Sequence, residues 1–378
     1  YFNKKNFEHD SFKLMDTSQK ILKILKKNRI EFFTGVPDSV LENFCNSLTR
    51  LNKNKHIISA NEGGAVSIAA GYNLSTKKIP VVYFQNSGLG NTINPITSII
   101  HKEIYGIPMI LFIGWRGALN LKDEIQHKVQ GKITLEQLNL LNIKYKIFNK
   151  NNFNKQLNQL IRYTKNSNHP VAFLFKKGDL ETVKNNKKNT KKYINRSQFI
   201  SKLISISKRS KIIATTGFTS RELFQIRQNK ENKIKNDFYM VGGMGHSSMV
   251  ALGYSLGSKK QTVCLDGDGS FLMHMGALAI SSKFAAKNFK YILLNNSCHE
   301  SVGGQPTAID KINLKQFSQS IGYKKYFILK DSKSIKHTLN LFIKSNGPSF
   351  LNVLINPGSL KNLMRIKNLR EIKKNFTS

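Results

Sequence analysis

Twelve short runs rich in β-branched and aromatic residues punctuate this chain, and amphipathic stretches lie between them. In the first half the runs fall at 31–36, 56–60, 81–85, 109–115, 145–149 and 171–175. In the second half they fall at 211–216, 238–242, 262–268, 291–296, 326–329 and 350–355. Runs this short and this apolar read as strands buried on both faces, with the amphipathic segments supplying the cover. The pattern predicts an α/β fold made of two doubly wound parallel-sheet domains. Helices are expected at 16–28, 38–51, 62–74, 92–105, 135–141 and 153–165, with another at 274–286. Open parallel sheets bind ligands beyond the carboxyl ends of their strands, so the residues that follow each run are where chemistry is sought.

A length of 378 residues agrees with two domains. The lysine- and asparagine-rich stretch 182–197 has few apolar anchors and reads as a linker between domains at 1–181 and 198–378. The basic tail 361–378 is expected to form a surface helix. No apolar run reaches the roughly 20 residues that span a bilayer. Segment 1–10 is polar and lacks a signal-peptide core, and the sequence opens on Tyr1 instead of Met, so a few preceding residues are expected. Cys45, Cys264 and Cys298 are odd in number and far apart, which argues against a disulfide framework and for a reducing, cytoplasmic setting.

Lysine and arginine number 60 against 22 acids, a net charge of +38. The excess is spread along the whole chain, as on a solvated basic surface that also attracts small anions. No zinc-finger spacing and no aromatic-plus-basic RNA-binding signature accompanies it. A basic nucleic-acid-binding protein on an inactive enzyme scaffold is the alternative from a different class.

Three places carry chemistry. The run at 262 leads into Asp266-Gly267-Asp268-Gly269-Ser270, and 25 residues beyond Gly269 the next strand ends in Asn295-Asn296. On adjacent strands, Asp268 and Asn296 reach the same sheet edge. A carboxylate, an amide oxygen and a backbone carbonyl form the hard oxygen set that Mg²⁺ takes. Gly267 and Gly269, ahead of a helix, permit close approach of an anion. Upstream, Val241-Gly242-Gly243-Met244-Gly245-His246 follows one strand, and Thr215-Thr216-Gly217 ends another. In the first half, Asn61-Glu62-Gly63-Gly64-Ala65 follows the second strand; alone, Glu62 is a first-turn charge favoured by the helix dipole.

Together these motifs resemble the thiamine-diphosphate-dependent decarboxylase family. The resemblance implies a pyrimidine domain followed by a diphosphate domain, with no middle domain. It implies Mg²⁺ on Asp268, Asn296 and the backbone oxygen of Cys298. Thiamine diphosphate would contact Glu62, Thr216, Gly217, Gly242, Met244, Gly267, Asp268, Gly269, Ser270 and Asn296. Glu62 would meet the aminopyrimidine at N1′, and Met244 would lie beneath the thiazolium ring. In this family the two domains that share one coenzyme come from different subunits, so a homo-oligomer with a dimer as its smallest active unit is expected.

Four further stretches, 35–39, 85–91, 114–127 and 299–307, resemble family members that decarboxylate phosphonopyruvate in phosphonate biosynthesis. Sulfopyruvate or another 2-keto acid is the alternative substrate. The expected partner is thus a small anionic 2-keto acid. Arg116 offers a planar fork suited to phosphonate oxygens. Asp38, Ser39, Gln126, His127, His299 and Glu300 are the other expected substrate contacts. Asp38 and His127 join Glu62 as candidates for proton transfer. Related decarboxylases carry a catalytic glutamate where Val302 stands, so that role is not inherited.

Overall fold

The computed structural model describes residues 15–181, 193–229 and 236–378. The chain divides into two compact units, Tyr1–Asn186 and Lys187–Ser378. Segment 1–10 and most of the stretch read as a linker lie outside the described residues. Beyond it, Ile194 already bridges Ile355 and a helix spans Arg196–Ile206, so residues 194–197 are structured parts of the second unit.

All twelve expected strands form, most of them trimmed or shifted by a residue or two at their ends. The first unit holds β1 (Phe33–Gly35), β2 (His56–Ile58), β3 (Val81–Gln85), β4 (Ile110–Gly114), β5 (Lys144–Ile147) and β6 (Val171–Phe175). They make one parallel sheet in the order β2-β1-β3-β4-β6-β5. The second unit holds β7 (Lys211–Ala214), β8 (Asp237–Tyr239), β9 (Thr262–Gly267) and β10 (Phe289–Asn295). A hairpin of β11 (Cys298–His299) and β12 (Gln305–Pro306) comes next, then β13 (Lys325–Leu329) and β14 (Ser349–Leu354). The second sheet runs β8-β7-β9-β10-β14-β13, the same winding as the first once the hairpin is set aside. In each sheet the crossovers reverse direction between the first and third strands, which opens a crevice beyond β1 and β3 and another beyond β7 and β9.

Alternate side chains of each strand feed the two faces. In β4, Ile110 and Phe112 join one core while Leu111 and Ile113 join the other. In the second sheet Ile292 and Leu294 face one core, and Tyr291 and Leu293 the opposite one. Such double-sided burial explains why these runs are continuously apolar.

Several helices depart from expectation. The helix expected at 38–51 starts late, at Glu42–Leu48, because the Asp38 carboxylate accepts the Val40 and Leu41 N–H groups and holds a turn. Segment 92–105 is a helix Leu89–Pro95 continued by one wide turn, Ile96–Ile100, with Pro95 at the change of pitch. The helix expected at 135–141 begins earlier and spans Lys128–Leu140. The helix expected at 274–286 is shorter, Ala277–Phe284, and a separate helix, Asp268–Met273, precedes it and ends at His274 (φ −136°, ψ 50°). The tail forms a helix at Leu369–Thr377 that buries Phe376 against Phe238 and Tyr254. Among the described residues no helix is long and apolar enough to cross a membrane. Cys45 and Cys264 are buried thiols.

Candidate active site

The first unit's crevice is built around two carboxylates. Asn61 caps the helix Glu62–Thr76 by accepting the Gly64 N–H at 2.8 Å, which fixes Glu62 as the first helical residue. The Glu62 side chain is 6% exposed, and Asn91 Nδ2 donates to its Oε2 at 2.7 Å. Bare backbone lies against it: a Cβ on Gly88 would stand 2.5 Å from Glu62 Cδ and Oε1.

Asp38, just past β1, is buried at 1% exposure. Its Oδ2 accepts Val40 N–H at 2.9 Å and Leu41 N–H at 3.2 Å, while Oδ1 has no hydrogen-bond partner among the described residues. Burial lifts its pKa to about 6, against the opposing pull of Arg116 and backbone amides. Any side chain on Gly114, at the end of β4, would collide with Asp38 Oδ2.

The Arg116 fork, expected for a phosphonate, is already engaged. Nε and Nη2 donate to Asp123 Oδ2 and Oδ1 at 2.8 and 2.6 Å, and Nη1 donates to Ser39 Oγ at 3.0 Å. Asn86 clamps the Arg116 backbone, accepting its N–H and donating to its carbonyl, each at 3.0 Å. Against burial, Arg116 and the Gly117 and Glu124 amides hold the Asp123 carboxyl well below the usual range. Asp38, Ser39 and Arg116 are therefore brought together. Gln126 instead donates to Glu124 Oε2 at 2.6 Å, and the His127 carbonyl packs against Gly117, whose φ is +69°.

In the second unit Gly267 pairs with Leu294, so Asp268 comes level with Asn295 and one residue short of Asn296. Asp268 is 3% exposed; its Oδ1 accepts Gly269 N–H at 3.0 Å and its Oδ2 the Thr307 hydroxyl at 2.9 Å. Burial lifts its pKa to about 6. Thr307 N–H donates to Ser297 O at 3.1 Å, which folds the end of the β11–β12 hairpin back over Asp268. Ser297, at φ +60°, makes the turn after Asn296. Asn296 Oδ1 accepts Cys298 N–H at 3.2 Å, and Nδ2 donates to Glu300 Oε2 at 3.0 Å.

Gly243 and Gly245, at φ +65° and +88°, flank Met244. The Met244 methyl and the His299 ring both lie against Gly269, where a Cβ would stand 3.0 Å from Met244 Cε and 2.9 Å from His299 Nδ1. Burial pushes His299 down to about 4, so it is neutral near pH 7. Ser270 Oγ accepts from Thr215 Oγ1 and Gly245 N, both at 3.0 Å, and joins the β7 exit, the Met244 loop and the helix start. That bond comes from Thr215, the neighbour of the expected Thr216. Gly217 (φ +87°) caps the next helix and faces Ser301 Oγ, 3.7 Å from where a Cβ would sit. Gly242 opens the bend before Met244, and the space beside Gly267 is clear. Glu300, expected to face substrate, is anchored instead to Arg196 Nη2, Asn296 Nδ2 and Gly358 N–H.

The comparisons with known proteins agree with this arrangement. Residues 15–140 match the thiamine pyrophosphate enzyme N-terminal TPP binding domain, and residues 215–353 the corresponding C-terminal TPP binding domain. Phosphonopyruvate decarboxylase of Streptomyces viridochromogenes is 29% identical over 354 residues, 88% of this chain and 87% of that one. Sulfopyruvate decarboxylase of Methanosarcina acetivorans is 26% identical over 372 residues, 92% and 93% of the two chains. Sulfopyruvate decarboxylase subunit beta of Methanothermobacter thermautotrophicus is 32% identical over 166 residues, 44% of this chain and 84% of that one. The chain belongs to the thiamine pyrophosphate-dependent decarboxylases.

As a member of that family, the chain carries the coenzyme's two binding domains in its two units. The residues present fit the coenzyme and a divalent cation. Glu62 is a buried carboxylate pinned against a glycine, with Asn91 on one of its oxygens. Asp268 is a buried carboxylate whose partners are a hydroxyl and an amide. Among the described residues no three His, Cys, Asp or Glu gather as a closed metal cage. A carboxylate, an amide oxygen and a carbonyl leave octahedral positions to diphosphate oxygens and water, as Mg²⁺ prefers. Gly88, Asn91, Asp123 and Thr307 fall inside stretches read by resemblance, and Arg196 inside the stretch read as a linker, but none had an assigned contact: Asn91 reaches Glu62, Thr307 reaches Asp268 and Arg196 reaches Glu300 across 29, 39 and 104 residues, and Asp123 reaches Arg116 across seven.

Proposed function

We propose that the protein decarboxylates phosphonopyruvate to phosphonoacetaldehyde and carbon dioxide, with thiamine diphosphate and Mg²⁺. The observation that carries the substrate is the likeness to phosphonopyruvate decarboxylase over 88% of the chain. When bound, the coenzyme's thiazolium supplies the sink for the electron pair left as carbon dioxide departs. Asp268, Asn296 and the Cys298 carbonyl hold Mg²⁺ against the diphosphate. Asn91 occupies Glu62 Oε2, which leaves Oε1 to exchange a proton with N1′ of the pyrimidine. Met244, braced by Gly269 and His299, supports the thiazolium.

Loss of carbon dioxide leaves a carbon that must take up one proton. Asp38, with a pKa near 6, is a donor at the crevice, and His127 is the second candidate. Arg116, held by Asp123 and Ser39, presents positive charge beside Asp38 to the phosphonate. Sulfopyruvate is the second reading, favoured by the match to sulfopyruvate decarboxylase over 92% of the chain.

The deciding assay compares kcat/KM for phosphonopyruvate, sulfopyruvate and pyruvate with both cofactors present. A preference for phosphonopyruvate is expected, and a preference for either rival overturns the assignment. We further propose that Glu62 of one copy and Asp268 of another serve one coenzyme. Mixing and reassembling Glu62→Gln with Asp268→Asn protein, each inactive alone, then restores about a quarter of wild-type activity in a random dimer. No restoration means that both residues act within one copy.

A further inference from the structure

Glu300 makes contacts unlike those of a substrate-facing residue. Its Oε2 accepts from both Arg196 Nη2 and Asn296 Nδ2, the latter at 3.0 Å, and its Oε1 accepts Gly358 N–H. Arg196 is buried at 5% exposure and also pairs, through Nη1, with Glu222 Oε1 at 3.3 Å. Glu222 Oε1 in turn accepts Leu360 N–H at 3.1 Å. The network joins the helix Arg196–Ile206, the helix Phe218–Gln228, the segment after β14 and the loop after β10.

We propose that Glu300 is a positioning residue that selects which end of the Asn296 amide faces the cation. A carboxylate only accepts hydrogen bonds, so it admits the Asn296 NH₂ and repels the amide oxygen. The oxygen is turned toward the Cys298 backbone, whose carbonyl belongs to the proposed Mg²⁺ set. Arg196 fixes the carboxylate, and Gly358 N–H fills its other oxygen, so Glu300 cannot rotate without breaking a buried ion pair. The inference rests on the Mg²⁺ reading above.

Glutamine at 300 has one acceptor oxygen for three donors, and its own NH₂ would confront another donor. The Asn296 amide then loses its orienting partner. Changes in groups that orient metal ligands typically weaken metal affinity about 10–100-fold. The test titrates Mg²⁺ into protein with thiamine diphosphate, following heat and the fluorescence of the single tryptophan, Trp115. Wild-type protein should show Mg²⁺-dependent binding that Asp268→Asn abolishes; if it does not, the Mg²⁺ reading itself fails. With that control satisfied, Glu300→Gln should raise the Mg²⁺ half-saturation about 10–100-fold. A lowered melting temperature with unchanged half-saturation overturns the proposal. Should Glu300→Gln not fold, Glu300→Asp keeps an acceptor-only group one methylene short. Weaker Mg²⁺ binding in that variant supports the proposal, and wild-type binding overturns it.

Discussion

Gly88→Ala isolates the packing of Glu62 from everything else in the first crevice. Gly88 has φ −79° and ψ −10°, which alanine adopts freely, so the backbone gives no reason for damage. Elsewhere such a change stabilises by about 0.4–1 kcal/mol through the unfolded chain. Here the new methyl would lie 2.5 Å from Glu62 Cδ and Oε1, about 1 Å inside ordinary carbon contact. Glu62 must swing away and lose the Asn91 hydrogen bond, worth about 1.5–3 kcal/mol for a charged acceptor. Overpacking adds about 1–3 kcal/mol, for a net destabilisation of about 2–5 kcal/mol after the gain from the unfolded state. With Glu62 in its proposed role, the displaced carboxylate would no longer meet the pyrimidine, so kcat/KM should fall by the roughly 10²–10⁴-fold of a lost proton-transfer group. Gly90→Ala is the control: it lies in the neighbouring turn with nothing within 4 Å of its Cβ position, and should be neutral or slightly stabilising. Coupling released aldehyde to a dehydrogenase measures the rate, and urea unfolding measures stability. Because both changes act on one carboxylate, Gly88→Ala combined with Glu62→Gln should lose no more activity than Glu62→Gln alone. Multiplying losses in the double variant, or near wild-type activity in Gly88→Ala, would refute the packing argument.

Three further outcomes follow from buried polar groups. Asp38 binds its proton more tightly when folded, with a pKa of about 6 against 3.8, so stability should fall as pH rises from about 4 to 6 and stay level above. The slope amounts to about 3 kcal/mol and should vanish in Asp38→Asn, as urea unfolding between those pH values would reveal. Thr307→Val removes the hydroxyl on Asp268 Oδ2 and should cost the coenzyme-free protein about 1–3 kcal/mol. That cost should shrink when thiamine diphosphate and Mg²⁺ are added; a difference indifferent to Mg²⁺ would separate Asp268 from the cation. Burial pulls Lys290 down to about 8 from 10.5, so folding is relieved of a buried charge as pH rises through that interval. Melting temperature should therefore lose an alkaline gain in Lys290→Met, and an unchanged profile would place the titration elsewhere.

The strands were legible because each is buried on both faces, and a continuously apolar run admits few other readings. β4, Ile110–Gly114, shows this well: all five residues are buried. Helix boundaries were less legible because local side chains move them. Asp38 delays one helix by taking backbone amides, and Pro95 changes the pitch of another. The glycine-rich turns and the Asp-Gly-Asp-Gly stretch were readable since spacing alone puts them at strand exits. The fork of Arg116 was readable as a cation, but not its occupancy by Asp123 across the 117–123 loop. Glu300 was legible as a residue following the Asn295-Asn296 strand exit, yet its partners Arg196 and Gly358 lie 104 and 58 residues away, beyond the reach of any local pattern.

The two sheets share one winding, so the difference between their crevices comes from single side chains at equivalent exits. The third strand of the first sheet exits into Asn86 and Gly88, a slot that admits the Glu62 carboxylate beside bare backbone. The third strand of the second sheet exits into Asp268, an acid held by a hydroxyl and an amide. On the proposed reading, the first exit would take a neutral heterocycle with a nitrogen to protonate and the second a cation carrying an anionic group. Neither carboxylate is bonded to any of the 60 cationic side chains among its described partners, an amide for Glu62 and a hydroxyl and an N–H for Asp268. Had the basic excess served these two groups, their negative charge would be cancelled before any ligand arrived. The arginines lie one step removed, Arg116 on Asp123 and Arg196 on Glu300. For the anionic substrate proposed above, positive charge elsewhere on the surface would add a long-range contribution to encounter rate that salt screens.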